Sequence, residues 1–227
     1  MKSSTVHKSR SLVLILLSIL FFSALDAQRK KTQNRFGAGI IVGLNANQIN
    51  GDHLKGYDKI GSFVGLRATA RLDRLSEIVI EMQYNQKGSK DPNQFVPGRE
   101  TERFISLDYI EVPILFHKII KTNSIYYSLE GGLAYARLLG FRINENPSTV
   151  NYNTFTDIQD ELNNQDLALV VGGGLIVSNH IRLMTRFVYS LTLLYQNERP
   201  LTNLPGELPE INKLRNVQLA FGANYIF

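Results

Sequence analysis

The chain has 227 residues, of which 20% are charged and 44% are hydrophobic, with a formal net charge of +5 and no cysteine. The lack of cysteine excludes disulfides and a lipid anchor on cysteine. Removing the N-terminal segment described next, whose Lys2, Lys8, Arg10 and Asp26 sum to +2, lowers the net charge to +3, an excess too small to indicate nucleic-acid binding.

The first 27 residues have the features of a secretory signal peptide. Three basic residues precede an apolar stretch over residues 12–22, and small residues lead up to a predicted cleavage after Ala27. An uncleaved membrane anchor is the alternative, but a spanning helix needs roughly 20 apolar residues. We therefore predict a signal peptide over 1–27 and an exported mature chain.

Residues 28–35 form a basic tail that contains Arg29, Lys30, Lys31 and Arg35. Contact with phospholipid headgroups at the inner leaflet is one interpretation. A solvated, disordered tail is the other, and the short charged run favours it.

Eight segments of the mature chain alternate between apolar and polar residues with a period of two, which predicts β-strands. Each is about 9 to 15 residues long, whereas strands of globular domains usually run about 5 to 6 residues and a tilted membrane strand needs about 9–11. The predicted strands cover residues 36–45, 60–72, 77–87, 109–117, 125–139, 166–177, 181–195 and 217–227.

The connections between these segments alternate in length. Residues 72–76, 119–124 and 178–180 are tight turns, whereas the other four connections are long, polar and rich in Asn, Asp, Pro and Gly. Short turns on one side and long loops on the other are typical of outer-membrane barrels, in which the short side is periplasmic.

Two architectures fit eight such strands. A soluble barrel of the lipocalin type would point its apolar face inward, whereas a membrane barrel points that face at lipid. Here the apolar face carries aromatic residues near strand ends, and the opposite face mixes glycine with charges, which suits a packed polar lumen. We therefore predict an all-β, eight-stranded antiparallel transmembrane β-barrel, an up-and-down meander over 36–227 in the cell outer membrane. Pro113 cannot donate to a ladder, so we expect a bulge there.

Several short motifs add to the alternation. Residues 107–115 read Leu-Asp-Tyr-Ile-Glu-Val-Pro-Ile-Leu and residues 84–88 read Tyr-Asn-Gln-Lys-Gly; residues 43–45, 51–52, 61–65, 172–174 and 224–227 supply Gly-Leu-Asn, Gly-Asp, Gly-Ser-Phe-Val-Gly, Gly-Gly-Gly and Asn-Tyr-Ile-Phe. With these motifs the mature chain resembles the PorT family of outer-membrane β-barrel domains of Bacteroidetes. The resemblance implies an integral outer-membrane barrel, and for one branch of the family a part in type IX protein secretion and gliding. It implies no catalytic residues.

The final strand has an aromatic end. Phe221, Tyr225 and Phe227 share one face of it and run to the last residue, although chain ends usually fray. The resemblance to other outer-membrane barrels implies that this end is an assembly signal for the barrel-insertion machinery.

Charged residues recur on the predicted lumen face. They are Arg67, Arg71, Glu81, Glu111, Glu130, Arg182 and Arg186. We expect the arginines to pair with the glutamates inside the barrel. An eight-stranded barrel is just filled by side chains, and buried charges persist when they are paired. A charge-neutralised plug is therefore favoured over a polar pathway.

Catalysis has weak support. Acyl transfer needs a nucleophile with a positioned base, and the outer-loop candidate is His53 beside Asp52, with Ser62 able to approach. Asp and His are also common in solvated loops, so we predict no enzymatic activity. The acidic residues Asp157, Asp160, Glu161 and Asp166 lack the spacing of a calcium loop, and we predict no metal and no cofactor.

Three functions stay open. The leading hypothesis is a structural or interaction role, such as a component of an envelope assembly for type IX secretion; the alternative is a narrow porin-like channel for small solutes, and the third is an outer-leaflet lipid-modifying enzyme. Expected partners are outer-membrane lipids, the barrel-insertion machinery and other envelope or secretion proteins, with no nucleic acid.

Overall fold

A computed structural model describes residues 35–91 except 53 and 55, 104–144 except 124, 155–197 except 157, and 212–227. A one-turn 3₁₀ helix covers Gln159–Glu161. The strands are β1 (Phe36–Asn50), β2 (Lys59–Arg71), β3 (Ser76–Lys90), β4 (Phe104–Thr122), β5 (Ile125–Asn144), β6 (Gln165–Ile176), β7 (Ile181–Ser190), β8 (Tyr195–Gln196) and β9 (Lys213–Ile226).

Eight strands form a closed ring. Neighbours from β1 to β7 pair antiparallel in chain order, β7 pairs with β9, and β9 pairs with β1, with Gly39 opposite Ile226. The predicted antiparallel barrel is confirmed. A closed ring leaves no strand edge unpaired.

The seventh strand is shorter than predicted. It ends at Ser190 instead of Tyr195, and the short β8 pairs only with β9. Leu194 and Tyr195 are 4% and 5% exposed, because the chain leaves the wall and turns these side chains inward. Burial of large apolar side chains favours this path over a longer strand.

The apolar face of the wall points outward. In β1, Ile40, Val42 and Leu44 are 44–61% exposed, whereas Ile41 between them is fully buried. The same alternation holds in the other ring strands, whose inward positions carry most of the buried polar residues. This orientation is that of a membrane barrel and the opposite of a lipocalin.

The two ends of the barrel differ. The connections β2–β3, β4–β5 and β6–β7 are short, and β1 begins and β9 ends at that same end, which we call the turn end. The opposite end carries the longer connections and is called the loop end. In the β2–β3 turn, the Leu75 N–H donates to Asp73 Oδ1 at 2.7 Å, and this bond lowers the pKa of Asp73.

The prediction of a bulge at Pro113 is wrong. β4 keeps the same register to both neighbours on either side of Pro113, and the β3–β4 ladder merely skips the pairs at Glu81 and Met82. The irregularity lies between Asp108 and Tyr109, where β5 holds one extra residue, Leu139. A missing donor therefore costs local pairing here without shifting the register.

A glycine pair makes room at the seam where the ring closes. Gly43 of β1 lies opposite Gly222 of β9, and a Cβ on either would meet the ring of Phe63, which lies inside the lumen.

The described part of the chain contains no helix with the length and hydrophobicity needed to traverse a bilayer.

Candidate functional site

The lumen is the candidate site, because it collects the charged side chains that the wall does not expose. β3 shows the arrangement along the axis: its inward residues Glu77, Glu81, Asn85 and Lys87 follow one another from the turn end to the loop end. Glu77, Glu81 and Lys87 belong to three separate ion networks, and Asn85 joins the network of Lys87 through Glu111, so the lumen is built in layers.

The middle layer is an ion network of four residues, which we call the central network. Glu81 accepts from Arg67 Nη1 at 2.7 Å and from Arg186 Nη1 and Nη2 at 2.6 and 2.9 Å. Arg186 Nε and Nη2 also donate to Glu130 at 2.6 and 3.2 Å. All four side chains are at most 3% exposed, so two arginines and two glutamates neutralise each other away from water.

A second ion network lies nearer the turn end. Arg182 makes a two-pronged contact with Glu77, at 2.7 and 3.2 Å. His117 Nδ1 lies 3.4 Å from the same carboxylate. Arg71 reaches it at 3.5 Å with a side chain that is 52% exposed, so this arginine lies at the rim of the barrel.

A third ion network lies nearer the loop end, around a buried lysine. Lys87 Nζ is 3.0 Å from Glu111 and 3.3 Å from Asp166, and it lies over the ring of Tyr109. Asp166 also accepts from the Ser190 hydroxyl at 2.8 Å. The ammonium is therefore surrounded by two carboxylates and an aromatic face, which stabilise its charge.

Amide side chains link this lysine network to the closing strands. Asn85 donates to Glu111 at 3.0 Å and accepts from Asn45 and Gln218 at 2.8 and 3.0 Å. Asn47 donates to Asn45 at 2.6 Å. These bonds pair polar groups from four strands directly with one another.

An apolar cluster, the apolar cap, closes the loop end. The strands and the connections after β5 and β7 contribute its residues. They are Ile49, Ile105, Leu107, Tyr109, Ala136, Leu138, Phe155, Ile158, Leu162, Leu194, Tyr195 and Leu214. At this height the strands invert their polarity: in β4, Ile105 and Leu107 point inward and Asp108 is half-buried on the outside. The outer surface is no longer apolar at this height, so this part of the wall lies beyond the lipid that surrounds the part nearer the turn end.

Little space remains inside. A cavity of about 10 Å³, lined among others by Phe63, Glu111, Arg186 and Gln218, lies within the lumen. That volume holds about one water molecule. Around this cavity, the three ion networks and the apolar cap occupy the described part of the lumen.

The structure brings most of the predicted lumen residues together, with different partners in two cases. Glu111 pairs with Lys87 rather than with an arginine, and Arg71 lies at the rim. Sequence reasoning missed Glu77, Lys87 and Asp166 as partners. Their positions on the inward face were the available signal.

The candidate catalytic set does not assemble among the described residues. His53 lies outside them, and Ser62 points outward, where its hydroxyl contacts Gln86 Oε1 at 3.1 Å. His117 belongs to the second ion network, around Glu77. His180 Nδ1 lies 2.8 Å from the Ile226 carbonyl. Of the expected acidic set, Asp157 also lies outside the described ranges, within which no group of three or more His, Asp or Glu side chains is arranged to hold a metal.

The aromatic end of β9 lies on the outside at the turn end. Phe221, Tyr225 and Phe227 are 56%, 45% and 73% exposed. Tyr225 packs edge-to-face with Phe227 at 5.7 Å and stacks with His180 at 5.8 Å. The Phe227 N–H donates to the Ala38 carbonyl at 2.9 Å, which ties the last residue to β1.

Comparison with protein families and solved structures gives the following matches. A family model described as an outer membrane protein beta-barrel domain matches residues 26–196. Ail, the attachment invasion locus protein of Yersinia pestis, is 11% identical, with 85% of this chain and 99% of that chain covered and a TM-score of 0.38. Neisserial surface protein A is 13% identical, with 85% and 97% covered and a TM-score of 0.38. The outer membrane protein AlkL is 11% identical, with 87% and 94% covered and a TM-score of 0.34. A search of curated protein sequences found no match.

Proposed function

Because this chain belongs to the family of outer-membrane β-barrel domains, we propose that it is a closed barrel with a structural or interaction role. The protein resides in the cell outer membrane. Its apolar wall lies in lipid, the turn end faces the periplasm and the loop end faces outward. We further propose that residues 1–27 are removed on export and that the insertion machinery and the surrounding lipids are its first partners.

The observation that carries this proposal is the filled lumen. The central network crosses the barrel with side chains at most 3% exposed, and the apolar cap covers the loop end. An ion in transit would have to displace paired, dehydrated charges and then cross an apolar layer, and both steps are costly. The channel alternative is therefore disfavoured.

The positions of Ser62 and Asp52 favour a non-enzymatic role. Ser62, the nucleophile considered for the outer loops, is held on the outer wall by Gln86. Asp52 is fully buried, and its Oδ1 accepts from the Leu54 N–H at 2.9 Å, as a turn residue does. Neither arrangement supplies a nucleophile beside a base.

A finer proposal concerns the partner. The motif Tyr109–Pro113, by which the chain resembles PorT-type barrels, supports a place in an envelope assembly such as type IX secretion. Ile110 and Val112 of this motif point toward lipid, whereas Tyr109, Glu111 and Pro113 are buried in the lumen. The motif itself therefore builds the barrel, and the partner would meet the loop end or the wall.

The test combines conductance with affinity purification. Purified protein in planar lipid bilayers should give no steady conductance, with a 16-stranded porin as the positive control. Phe155→Ala, which loosens the apolar cap above an intact central network, should stay silent as well. A tagged chain purified from the outer membrane should retain other envelope proteins. Large, stable channels from the wild-type protein would overturn the closed-barrel role, and purification of the barrel alone would overturn the assembly role.

A further inference from the structure

Four basic side chains gather on one sector of the outer wall toward the loop end. They are Lys59 of β2, Lys90 of β3, and Arg137 and Arg142 of β5, and we call them the outer basic patch. Lys59 Nζ lies 5.5 Å from the centre of the half-buried Phe104 ring, and Phe104 is the register partner of Lys90. Arg142 and Asp108 lie near Lys59 as well. Arg137 and Arg142 are exposed, and Arg137 lies opposite Ile110, two residues along β4 from Asp108. Asp108 is the acidic residue of the wall in this sector, and Asp58 and Asp91 adjoin Lys59 and Lys90 in the chain.

The height of the patch follows from β4. Its outward positions between Asp108 and Lys118 are all apolar: Ile110, Val112, Ile114 and Phe116. Ten residues at about 3.3 Å each, tilted by about 40°, span about 25 Å along the axis, which matches the apolar band of an outer-membrane barrel. Asp108, Lys90 and Arg142 therefore lie at the headgroups of the outer leaflet, whereas Arg137, opposite Ile110, starts just below them and has a side chain long enough to extend to them.

The anion of this sector, the Asp108 carboxylate, is engaged by neighbouring polar side chains. The Tyr84 hydroxyl donates to Asp108 Oδ1 at 2.8 Å, and Gln86 Nε2 lies 3.4 Å from the same oxygen. Among the described residues, no carboxylate forms a salt bridge with Arg137 or Arg142. Two exposed guanidinium groups thus face the headgroup layer without a protein anion of their own in the described part of the chain.

The opposite sector differs. There Arg215 of β9 donates to the Tyr189 hydroxyl at 2.6 Å and lies 5.3 Å from its ring centre. That guanidinium is engaged within the wall. Lys213 of the same strand is exposed, so this sector presents one exposed cation beside the engaged arginine, against the four basic side chains of the outer basic patch.

We propose that the outer basic patch binds the phosphate groups of a glycolipid in the outer leaflet. Guanidinium groups pair with phosphate through two parallel hydrogen bonds, and basic clusters at a membrane surface select anionic headgroups. The apolar residues below the patch would contact the acyl chains of the same lipid. This site goes beyond the proposed function, since it needs the outer wall and not the closed lumen.

The test uses lipid A that carries two phosphates, added to the detergent-solubilised barrel and followed by native mass spectrometry. Replacing Lys59, Arg137 and Arg142 together by Gln should weaken binding about a hundredfold, since each basic group at an anionic surface contributes roughly a factor of five. Asp108→Asn keeps an acceptor for Tyr84 and removes the negative charge, so it should strengthen binding. Lys213→Gln, which removes an exposed lysine on β9, is the matched control and should leave binding unchanged.

The specificity arms use the same variants. Dephosphorylated lipid A should bind the wild-type protein as weakly as the phosphorylated form binds the triple variant, and millimolar inorganic phosphate should not compete. Equal binding of both lipids, or equal binding by the triple variant and the wild type, would overturn the site. Binding of an acidic protein in place of the lipid would also overturn it. Because the replaced side chains lie on the outside, a migration shift between heated and unheated samples should show that every variant is folded.

Discussion

Arg186 holds the central charges of the lumen together. It contacts both Glu81 and Glu130 with a side chain that is 3% exposed, and Glu81 also binds Arg67. Without Arg186, Glu81 would keep Arg67 as its partner, and Glu130 would lose its arginine in a low-dielectric interior. A buried charge without its partner is far more costly than a buried pair.

We expect Arg186→Met to lower the free energy of unfolding by about 3–5 kcal/mol, because it leaves the buried carboxylate of Glu130 without its arginine partner. Urea titration in detergent, followed by circular dichroism because the chain lacks tryptophan, measures the change. Thr185→Val, on the outward face of the same strand, is the control and should change stability by less than about 1 kcal/mol. A loss for Arg186→Met as small as that of the control would contradict the role given to this residue.

Which face a charged residue occupies could be predicted from the sequence, but its partner could not. Alternation placed Arg182 and Glu77 on the inward face, yet it gave no reason to pair them, because 105 positions separate them and their contact crosses the lumen. Partners are set by the stagger between strands, which no single strand reveals. For the same reason Glu111 was expected to meet an arginine and instead meets Lys87.

At the scale of elements, the strands extend beyond the predicted limits at the loop end. β4 begins at Phe104 rather than at Tyr109, and β1 runs on to Asn50. The alternation changes sign there, with Ile49 and Ile105 inside and polar residues outside. A search for an outward apolar face therefore stops where the wall leaves the lipid, although the hydrogen-bonded ladder continues.

The bulge in β5 gives an element-scale prediction. Deleting Leu139 removes the extra residue opposite the Asp108–Tyr109 step and leaves every later side chain on its present face, so the barrel should still fold with a loss of about 1–2 kcal/mol. Deleting Leu133, in the regular part of the same strand, would reverse the faces of the residues beyond it. We expect no folded barrel from that second deletion, as measured by the migration shift on heating.

Failure of both deletions would contradict the assignment of Leu139 as the extra residue. Success of both would contradict the strict inward and outward alternation of β5. The two deletions remove the same residue type from the same strand, so hydrophobicity cannot account for a difference between them.

At the scale of the whole molecule, the last residue makes few contacts with the first strand. Phe227 is 73% exposed and makes one backbone bond to Ala38. Its deletion should reduce insertion into the outer membrane of cells severalfold, because the insertion machinery would lose the aromatic end. The free energy of unfolding in detergent should change by no more than about 1 kcal/mol, because only one hydrogen bond is lost. Comparing membrane yields in cells with stability in detergent separates the two effects.

Phe36→Ala is the control for this deletion, since Phe36 is 79% exposed at the same end and belongs to β1. It should leave insertion near the wild-type level. Normal insertion of the chain without Phe227 would count against an assembly signal at this terminus.

The pairing of β1 with β9 has a consequence for how the molecule forms. These strands are the first and last of the ring, and Gly39 lies opposite Ile226, so the seam is the contact of highest contact order in the fold. Loop closure on this scale is slow, and contacts distant in sequence form late. Until they form, every intermediate has two open edges and an exposed apolar wall, the properties that drive aggregation. We therefore expect the chain to need protection from self-association until the seam between β1 and β9 has closed.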